Sequence, residues 1–260
     1  MDSCAAAIER DTHRKYSGLA YGPDTVSPLP AADSSEYFNV LLRTNMAIVR
    51  RHAWRARVLD LCCGTGRHLL SLADIVERGV GIDFSRPFIE TAGDARDAAG
   101  AGNIEFVEGN ARNLPFGDAT FDLVYSFSAL YHIPDVGDVI RQVRRVLRPG
   151  GRCVLELGNL YSLNTVVTKA YPQYATPCHV PVRRMTGLLR GAGLAIVEHR
   201  AFQILPLWGH RPVWLAPLLW PFWKWILQRP IRGRMLDEWI SGMPLMRKLA
   251  FRHLFVCERT

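Results

Sequence analysis

The sequence predicts an α/β fold, with a mostly parallel sheet that is covered by helices on both faces. Between residues 58 and 202, short apolar runs typical of buried strands alternate with amphipathic segments typical of helices. One junction between a strand and a helix is a tight glycine turn, residues 62–66. A chain of 260 residues with 48% hydrophobic residues is also large enough for one extensive core.

The glycine turn after the first strand, Val58–Leu61, has the geometry of a nucleotide site. Gly64 and Gly66 leave no side chain where a ligand would approach the backbone, and the start of the next helix, expected over residues 67–77, offers amide donors. The second strand ends at Asp83, where a carboxylate can accept hydrogen bonds from both hydroxyls of a ribose. We therefore expect a ligand that contains a ribose.

A second acid argues against a dinucleotide. Asp60, at the end of the first strand, would repel a pyrophosphate and suits a cationic amino group. The turn also has two glycines, whereas the dinucleotide pattern has three. The residues therefore favour a ligand with a ribose and an amino acid part over NAD.

Four sequence blocks resemble, in order, the class I S-adenosylmethionine-dependent methyltransferases, the broad group that includes the quinone-biosynthesis enzymes. The resemblance runs from about Arg57 to Glu156. The blocks are VLDLCCGTG, GIDFS, VEGNARNLPFGDATFDLVYSFSALYHIPD and VLRPGGRCVLE. The resemblance implies a Rossmann-like, seven-stranded, mostly parallel sheet, with S-adenosyl-L-methionine as cofactor and S-adenosyl-L-homocysteine as product. One departure is Cys62, which stands where the family usually has a glycine.

The resemblance also implies how the cofactor is bound. Asn110 would accept a hydrogen bond from the adenine amine and Ala111 would donate its backbone amide to the ring, although Asn110 could instead only form a turn. The expected cofactor residues are Asp60, Cys62, Gly64, Gly66, Asp83, Phe84, Asn110, Ala111 and Phe127.

The remaining core elements follow from their apolar runs and boundary residues. Ser85 and Pro87 mark a helix start, the segment Ala99–Asn103 ends that helix, and Pro149–Gly151 predicts a turn before the fifth strand. The expected strands are Val80–Ile82, Ile104–Val107, Phe121–Phe127, Cys153–Leu157, Leu194–Phe202 and Arg252–Cys257. The expected helices cover residues 85–99, 135–147 and 182–191.

Two segments are expected to cover the ligand. Residues 1–53 would form an N-terminal cap and helix beside the core domain, residues 54–202. In the cap, Tyr16 and Tyr21 could fold over the cofactor or pack on the domain surface, and a helix of about twenty residues opens at residues 33–35. The region 158–181 is expected to be irregular and to line an acceptor pocket.

An insertion of about fifty residues, 203–251, separates the last two strands and is far longer than a hairpin needs. The last core segment is 252–260. The insertion holds six of the seven tryptophans, and its bases outnumber its acids. Prolines and a lysine make it unsuited to span a bilayer, but it could lie at the headgroup interface or form a helical lid on the acceptor pocket. Both alternatives indicate a sizeable, hydrophobic acceptor.

The candidate catalytic residues lie at the expected carboxyl edge of the sheet. His132 is the best candidate base, because its ordinary pKa is near neutral and it follows the fourth strand. The alternative is that it only fixes the start of the next helix. Tyr131 and His179 are second choices. A hydroxyl acceptor needs a base, whereas a carbon acceptor could need none.

Charge and cysteine content restrict the other possibilities. The net charge of +8 admits an acidic substrate, a membrane surface or nucleic acid, but no basic segment is interleaved with base-stacking aromatics, so nucleic acid is disfavoured. The six cysteines have no metal-ligand spacing, which predicts reduced thiols and no metal. The mixed-charge start predicts a cytoplasmic protein, with peripheral membrane contact as an added possibility.

The favoured function is methyl transfer to a hydroxyl of a small or lipid-like natural product, as in secondary metabolite biosynthesis. The alternative within the class is C-methylation of a quinone or of a prenyl compound, which the arginines could hold if it were phosphorylated. Outside the class, the alternatives are an NAD-binding oxidoreductase and a non-catalytic scaffold. The sequence leaves the oligomeric state open.

Overall fold

The computed structural model describes residues 7–8, 10–12, 14, 36–170, 178–207, 212–218 and 220–260. The first long helix, α1 (Glu36–Ala53), agrees with the prediction. The expected start of that helix at residues 33–35, the cap tyrosines Tyr16 and Tyr21, and Trp208 lie outside the described residues.

The first half of the domain repeats a strand and helix pattern. Its elements are β1 (Arg57–Leu61), α2 (Arg67–Leu70), β2 (Arg78–Asp83), α3 (Arg86–Ala99) and β3 (Ile104–Glu108). The prediction of a helix to residue 77 is wrong, because α2 has four residues. The chain continues from α2 in tighter turns, in which the amides of Leu72 and Ala73 bond carbonyls three residues back. Leu72 and Val76 are nevertheless buried, so the apolar spacing reflected burial and not a continuous helix.

The second half extends the same pattern. Its elements are β4 (Phe121–Ser126), α4 (Val136–Val146), β5 (Leu147–Gly158), α5 (Leu163–Lys169), α6 (Val182–Gly191) and β6 (Leu194–Phe202). Residues 149–151 are not a separate turn. They belong to β5, whose register with β4 shifts between Phe121 and Leu123. The expectation of an irregular region 158–181 is wrong for α5, which Ser162 caps by accepting a hydrogen bond from the amide of Thr165.

The insertion consists of short elements between β6 and the last strand. A 3₁₀ turn (Val213–Leu218) is followed by α7 (Pro221–Leu227), a hairpin of β7 (Pro230–Ile231) and β8 (Arg234–Met235), α8 (Leu236–Gly242), α9 (Pro244–Arg247) and β9 (Arg252–Arg259). No helix in the described part of the chain is both long enough and apolar enough to cross a membrane.

One seven-stranded, Rossmann-like sheet unites the domain, in the order β3-β2-β1-β4-β5-β9-β6. Strands β1 to β5 pair in parallel, and β9 is antiparallel to both of its neighbours, which confirms the predicted mostly parallel sheet. Because β1 lies between β2 and β4, the carboxyl ends of these three strands meet at the middle of one edge. This is the position where open α/β sheets bind ligands.

Both faces of the sheet are covered by apolar side chains. Leu59 and Leu61 of β1 point to a cluster that includes Val143 of α4 and Leu189 of α6. Their neighbour Val58 belongs to the opposite cluster, which contains apolar residues of α1 and of the insertion. The alternation follows from strand geometry, because successive side chains of a strand point to opposite faces of the sheet.

Candidate functional site

The site is built where β1 and β2 end. Oδ2 of Asp83 accepts a hydrogen bond of 3.0 Å from the backbone amide of Gly64, in the turn after β1. Oδ1 of the same carboxylate accepts one of 3.0 Å from the amide of Ser85, at the start of α3. Asp83 therefore holds the glycine turn and the next helix in one arrangement.

The turn needs unusual backbone conformations. Gly66 has φ +74°, and a Cβ atom there would lie 2.3 Å from the ring of Phe106, so glycine is required both conformationally and sterically. Cys62 has φ +62° without being a glycine. This left-handed conformation costs a side-chain-bearing residue about 1 kcal/mol or more. The departure from the family glycine is therefore accommodated with strain.

A cleft of about 560 Å³, counting its open mouth, lies at these strand ends. The cleft brings together five of the expected cofactor residues with the candidate base His132. The five are Cys62, Asp83, Phe84, Asn110 and Ala111. Asp60, Gly64, Gly66 and Phe127 are not among the residues that line it, and Phe127 packs in the core beside Tyr125.

Thr12 also lines the cleft, and sequence reasoning missed it. Its side chain is 6% exposed, and its hydroxyl has no hydrogen-bond partner among the described residues. A buried hydroxyl without a partner is unfavourable, so the site suits a ligand that offers a polar atom there. No sequence signal marks this threonine, since it belongs to no motif.

Asp60 and Asp83 are two buried carboxylates at adjacent strand ends. Asp60 accepts a hydrogen bond of 2.8 Å from the hydroxyl of Tyr125. Burial raises the pKa of Asp60 to about 7, against the lowering effect of the hydrogen bond from Tyr125 and with a smaller contribution from the charge of Asp83. Burial also raises the pKa of Asp83, against the effect of its amide partners. Because neither acid forms an ion pair within the described residues, a cationic ligand group fits here.

Asn110 already uses its side-chain oxygen locally. Oδ1 accepts a hydrogen bond of 2.8 Å from the amide of Arg112, which is the turn-forming role left open above. An amide oxygen has a second lone pair, so the same atom can also accept from an adenine amine. The adenine contact stays a prediction.

The three candidate catalytic side chains lie together, although they are far apart in sequence. The ring of Tyr131 lies 4.7 Å from that of His132 and 5.9 Å from that of His179, measured between centroids. Phe251 completes the group, with centroids 5.3 Å from Tyr131 and 4.9 Å from His179. A Cβ atom on Gly158 would lie within 3.0 Å of three of these residues, so the glycine at the end of β5 permits their packing. Of the three candidates, His132 lines the cleft.

These side chains are uncharged at neutral pH. Burial, aided by the charge of Arg252, lowers the pKa of His132 to about 4. Burial and the nearby His132 lower the pKa of His179 to about 3. Burial raises the pKa of the Tyr131 phenol. Both imidazoles can therefore accept a proton at neutral pH, but only as weak bases.

A hydrogen bond fixes the position of the His179 ring. Its Nδ1 lies 2.8 Å from Oγ1 of Thr165, which is buried and also lies 2.9 Å from the carbonyl oxygen of Asn159. The ring is therefore anchored through Nδ1 to the start of α5.

A buried ion pair behind this aromatic group was also missed from the sequence. Arg252 pairs with Glu156, and both side chains are buried. The guanidinium also donates to Oγ of Ser128 at 2.8 Å and lies 5.6 Å from the ring centroid of Tyr131. The pair holds the fourth-strand loop against β5 and β9. It also supplies the positive charge that lowers the pKa of His132.

No metal or disulfide site accompanies these groups within the described residues. Their His, Cys, Asp and Glu side chains form no group of three or more that could hold a metal ion. No disulfide bond joins the cysteines that the structure describes.

Known proteins resemble the central part of the chain. Residues 59–155 match a family described as "Methyltransferase domain". The chain is 42% identical over 111 residues to the 2-phytyl-1,4-naphtoquinone methyltransferase of Synechococcus elongatus, which covers 41% of this chain and 48% of that protein. It is 34% identical over 148 residues to the O-methyltransferase cnsE of Penicillium expansum, which covers 54% of this chain and 52% of that protein. The chain spans about half the length of these curated relatives.

A solved structure has a similar fold. The geranyl diphosphate C-methyltransferase of Streptomyces coelicolor, in complex with Mg²⁺, geranyl diphosphate and S-adenosyl-L-homocysteine, superposes with a TM-score of 0.63. The match covers 97% of this chain and 98% of that chain, at 14% sequence identity. At this identity the likeness concerns the fold alone.

Proposed function

Because residues 59–155 form a class I, S-adenosylmethionine-dependent methyltransferase domain, we propose that the whole protein transfers the cofactor's methyl group to a small hydrophobic acceptor. The observation that carries the proposal is the pair of buried carboxylates, Asp60 and Asp83, at adjacent strand ends beside the cleft. A ribose and a cationic amino acid group are the ligand parts that such a pair suits.

The proposed binding mode assigns one part of the cofactor to each region of the site. Asp83 receives the ribose hydroxyls, and the negative charge of Asp60, near the end of β1, stabilises the cationic amino group of the ligand. Asn110 and Ala111 face the adenine. The low exposure of Asp60 supports this role, because a buried carboxylate gains most from a nearby cation.

The favoured reaction is O-methylation. Bound S-adenosylmethionine would supply an electrophilic methyl group on its sulfonium sulfur. The chain itself would align a hydroxyl acceptor, exclude water from the cleft and remove the hydroxyl proton. His132 is the proposed base, because it lines the cleft and its ring is uncharged at neutral pH. Tyr131 and His179 would support its position through their ring contacts.

C-methylation of a quinone or of a prenyl compound is the second candidate. The name of the Synechococcus relative, a naphthoquinone methyltransferase, favours it. The name of the Penicillium relative favours transfer to oxygen. The low pKa of His132 is compatible with both reactions. A neutral imidazole can accept the proton of a hydroxyl acceptor, and a carbon acceptor could need no base.

Radiolabelled methyl transfer tests the proposal. The full chain is incubated with methyl-labelled S-adenosylmethionine and with a phenol, 1,4-naphthohydroquinone or geranyl diphosphate, and the products are extracted and identified by mass spectrometry and NMR. We expect label on a naphthohydroquinone oxygen. Label on carbon would support the second candidate. Binding of S-adenosyl-L-homocysteine without transfer to any acceptor would support a scaffold, and binding of NADH instead would support an oxidoreductase.

A further inference from the structure

The insertion presents aromatic and basic side chains together on its outer side. We call six of these residues the Trp-Arg face: Trp225, Arg229, Ile231, Arg232, Arg234 and Trp239. All six are exposed, and the exposed fractions of Trp225, Ile231 and Trp239 are 52%, 42% and 42%. A monomer seldom exposes so many large apolar groups in one place, so such a face indicates a partner.

Direct contacts hold these side chains in one surface. The guanidinium of Arg229 lies 3.6 Å from the ring centroid of Trp225, and that of Arg234 lies 5.5 Å from the ring centroid of Trp239. The indole of Trp239 donates to the carbonyl of Ile231 at 3.0 Å. The two tryptophans therefore flank the hairpin of β7 and β8, which carries Arg232 and Arg234 and is directly preceded by Arg229.

The inner side of the same insertion is fixed to the domain. Leu227 and Met235 are buried in the core cluster that also contains Tyr37. Asp237 of α8 is buried and accepts hydrogen bonds from the Tyr37 hydroxyl at 2.7 Å and from the amide of Ile204 at 3.0 Å. The inner residues are thus committed to the core, and the exposed tryptophans are not part of that packing.

The charge of the outer surface has one sign. The two acids of the insertion, Asp237 and Glu238, are buried, and Glu238 pairs with Arg200. Arg229 and Arg232 are exposed and form no ion pair within the described residues. A surface with indole rings and with guanidinium groups outside ion pairs complements anionic phosphates that lie above apolar chains.

We propose that the Trp-Arg face binds the surface of an anionic lipid bilayer. The short helices of the insertion suit a position in the headgroup layer, since none in the described chain could cross a membrane. The tryptophans would enter the boundary between headgroups and acyl chains, and the arginines would contact lipid phosphates. This binding does not depend on methyl transfer, although it would bring a hydrophobic acceptor close to the enzyme.

Vesicle co-sedimentation of the full chain tests the proposal. We expect binding to vesicles of phosphatidylcholine with one third phosphatidylglycerol, little binding to phosphatidylcholine alone, and weaker binding as salt is raised. The double variants W225A/W239A and R229E/R232E should each bind at least about tenfold more weakly. Trp54→Ala is the matched control, because Trp54 is 69% exposed, faces Arg55 and lies outside the insertion.

Several outcomes would overturn the proposal. These are no binding of the wild type to anionic vesicles, equal binding to both vesicle types, and an equal loss in the Trp54 control. A lipid-free dimer that W225A/W239A dissociates, without vesicle binding by the wild type, would assign the face to a second copy of the chain. Circular dichroism of each variant monitors folding, and a separate titration with S-adenosyl-L-homocysteine keeps this result distinct from the proposed function.

Discussion

The carboxylate of Asp83 accepts a 3.0 Å hydrogen bond from the backbone amide of Gly64, and this bond joins the end of β2 to the glycine turn after β1. The same group accepts from Ser85 at the start of α3. Hydrogen bonds to a charged group contribute about 1.5 to 3 kcal/mol. One side chain therefore shapes the turn before any ligand binds, so substitution of Asp83 affects both folding and affinity.

Cys62→Gly should be more stable than Cys62→Ala. Both variants lose the thiol, but only glycine relieves the left-handed backbone at φ +62°. We expect a difference of about 1 kcal/mol in the free energy of unfolding in urea. The same pair of substitutions at Ser71, where φ is −68°, should show alanine as the more stable. A more stable alanine at position 62 would mean that the turn is not left-handed.

Affinity for S-adenosyl-L-homocysteine should rise with pH. The pKa of Asp60 is raised to about 7, so the acid is mostly protonated at pH 6 and mostly ionised at pH 8, and only the ionised form attracts the ligand's amino group. The Kd should therefore be about tenfold higher at pH 6 than at pH 8. Asp60→Asn should remove this dependence. A flat profile in the wild type, or the same slope in the variant, would contradict the role of Asp60.

Thr12→Val should weaken binding of S-adenosyl-L-homocysteine. Valine keeps the shape of threonine but removes the buried hydroxyl, which has no partner among the described residues. A lost hydrogen bond to the ligand corresponds to about 1 kcal/mol, or about fivefold in Kd. Thr12→Ser should bind as the wild type does. Unchanged affinity in the valine variant would show that the hydroxyl does not contact the ligand.

His132→Ala should lower kcat for methyl transfer to 1,4-naphthohydroquinone by about 100-fold without changing the affinity for S-adenosyl-L-homocysteine. Because the pKa of His132 is about 4, its ring stays neutral between pH 9 and pH 6. Protonation of His132 should therefore not lower the wild-type rate in this range. Near-normal kcat in this variant would leave His132 with a structural role. If His179→Ala alone abolished turnover, the base would be His179.

Local patterns in the sequence predicted the strands and brought five of the expected cofactor residues to one cleft. The strand Leu194–Phe202 was predicted to the residue, because an apolar run and its flanking glycine bound it. Asp83 was expected at the ligand edge, because a residue that ends a parallel strand lies there whatever surrounds it. Strand bounds and strand-end residues can be inferred in this way because they depend only on residues that are adjacent in the sequence.

Contacts between distant segments could not be predicted in the same way. No local pattern links Arg252 with Glu156, and only the pairing of β5 with β9 brings them together. The sequence also did not show that Tyr131 and His179 lie together, because their contact depends on the absence of a side chain at Gly158. The end of α2 at Leu70 was also missed, since three-residue turns can maintain an apolar spacing similar to that of a helix.

Isothermal titration of the wild type and of Asp83→Ala with S-adenosyl-L-homocysteine tests the central claim most directly, with NADH as the competing ligand. The account predicts one site for S-adenosyl-L-homocysteine in the wild type, no heat with NADH, and at least about 100-fold weaker binding in the variant, because two ribose hydrogen bonds and the anchor of the turn are lost. Circular dichroism would establish that the variant is folded. No heat from S-adenosyl-L-homocysteine in the wild type, or equal affinity in the folded variant, would contradict the account.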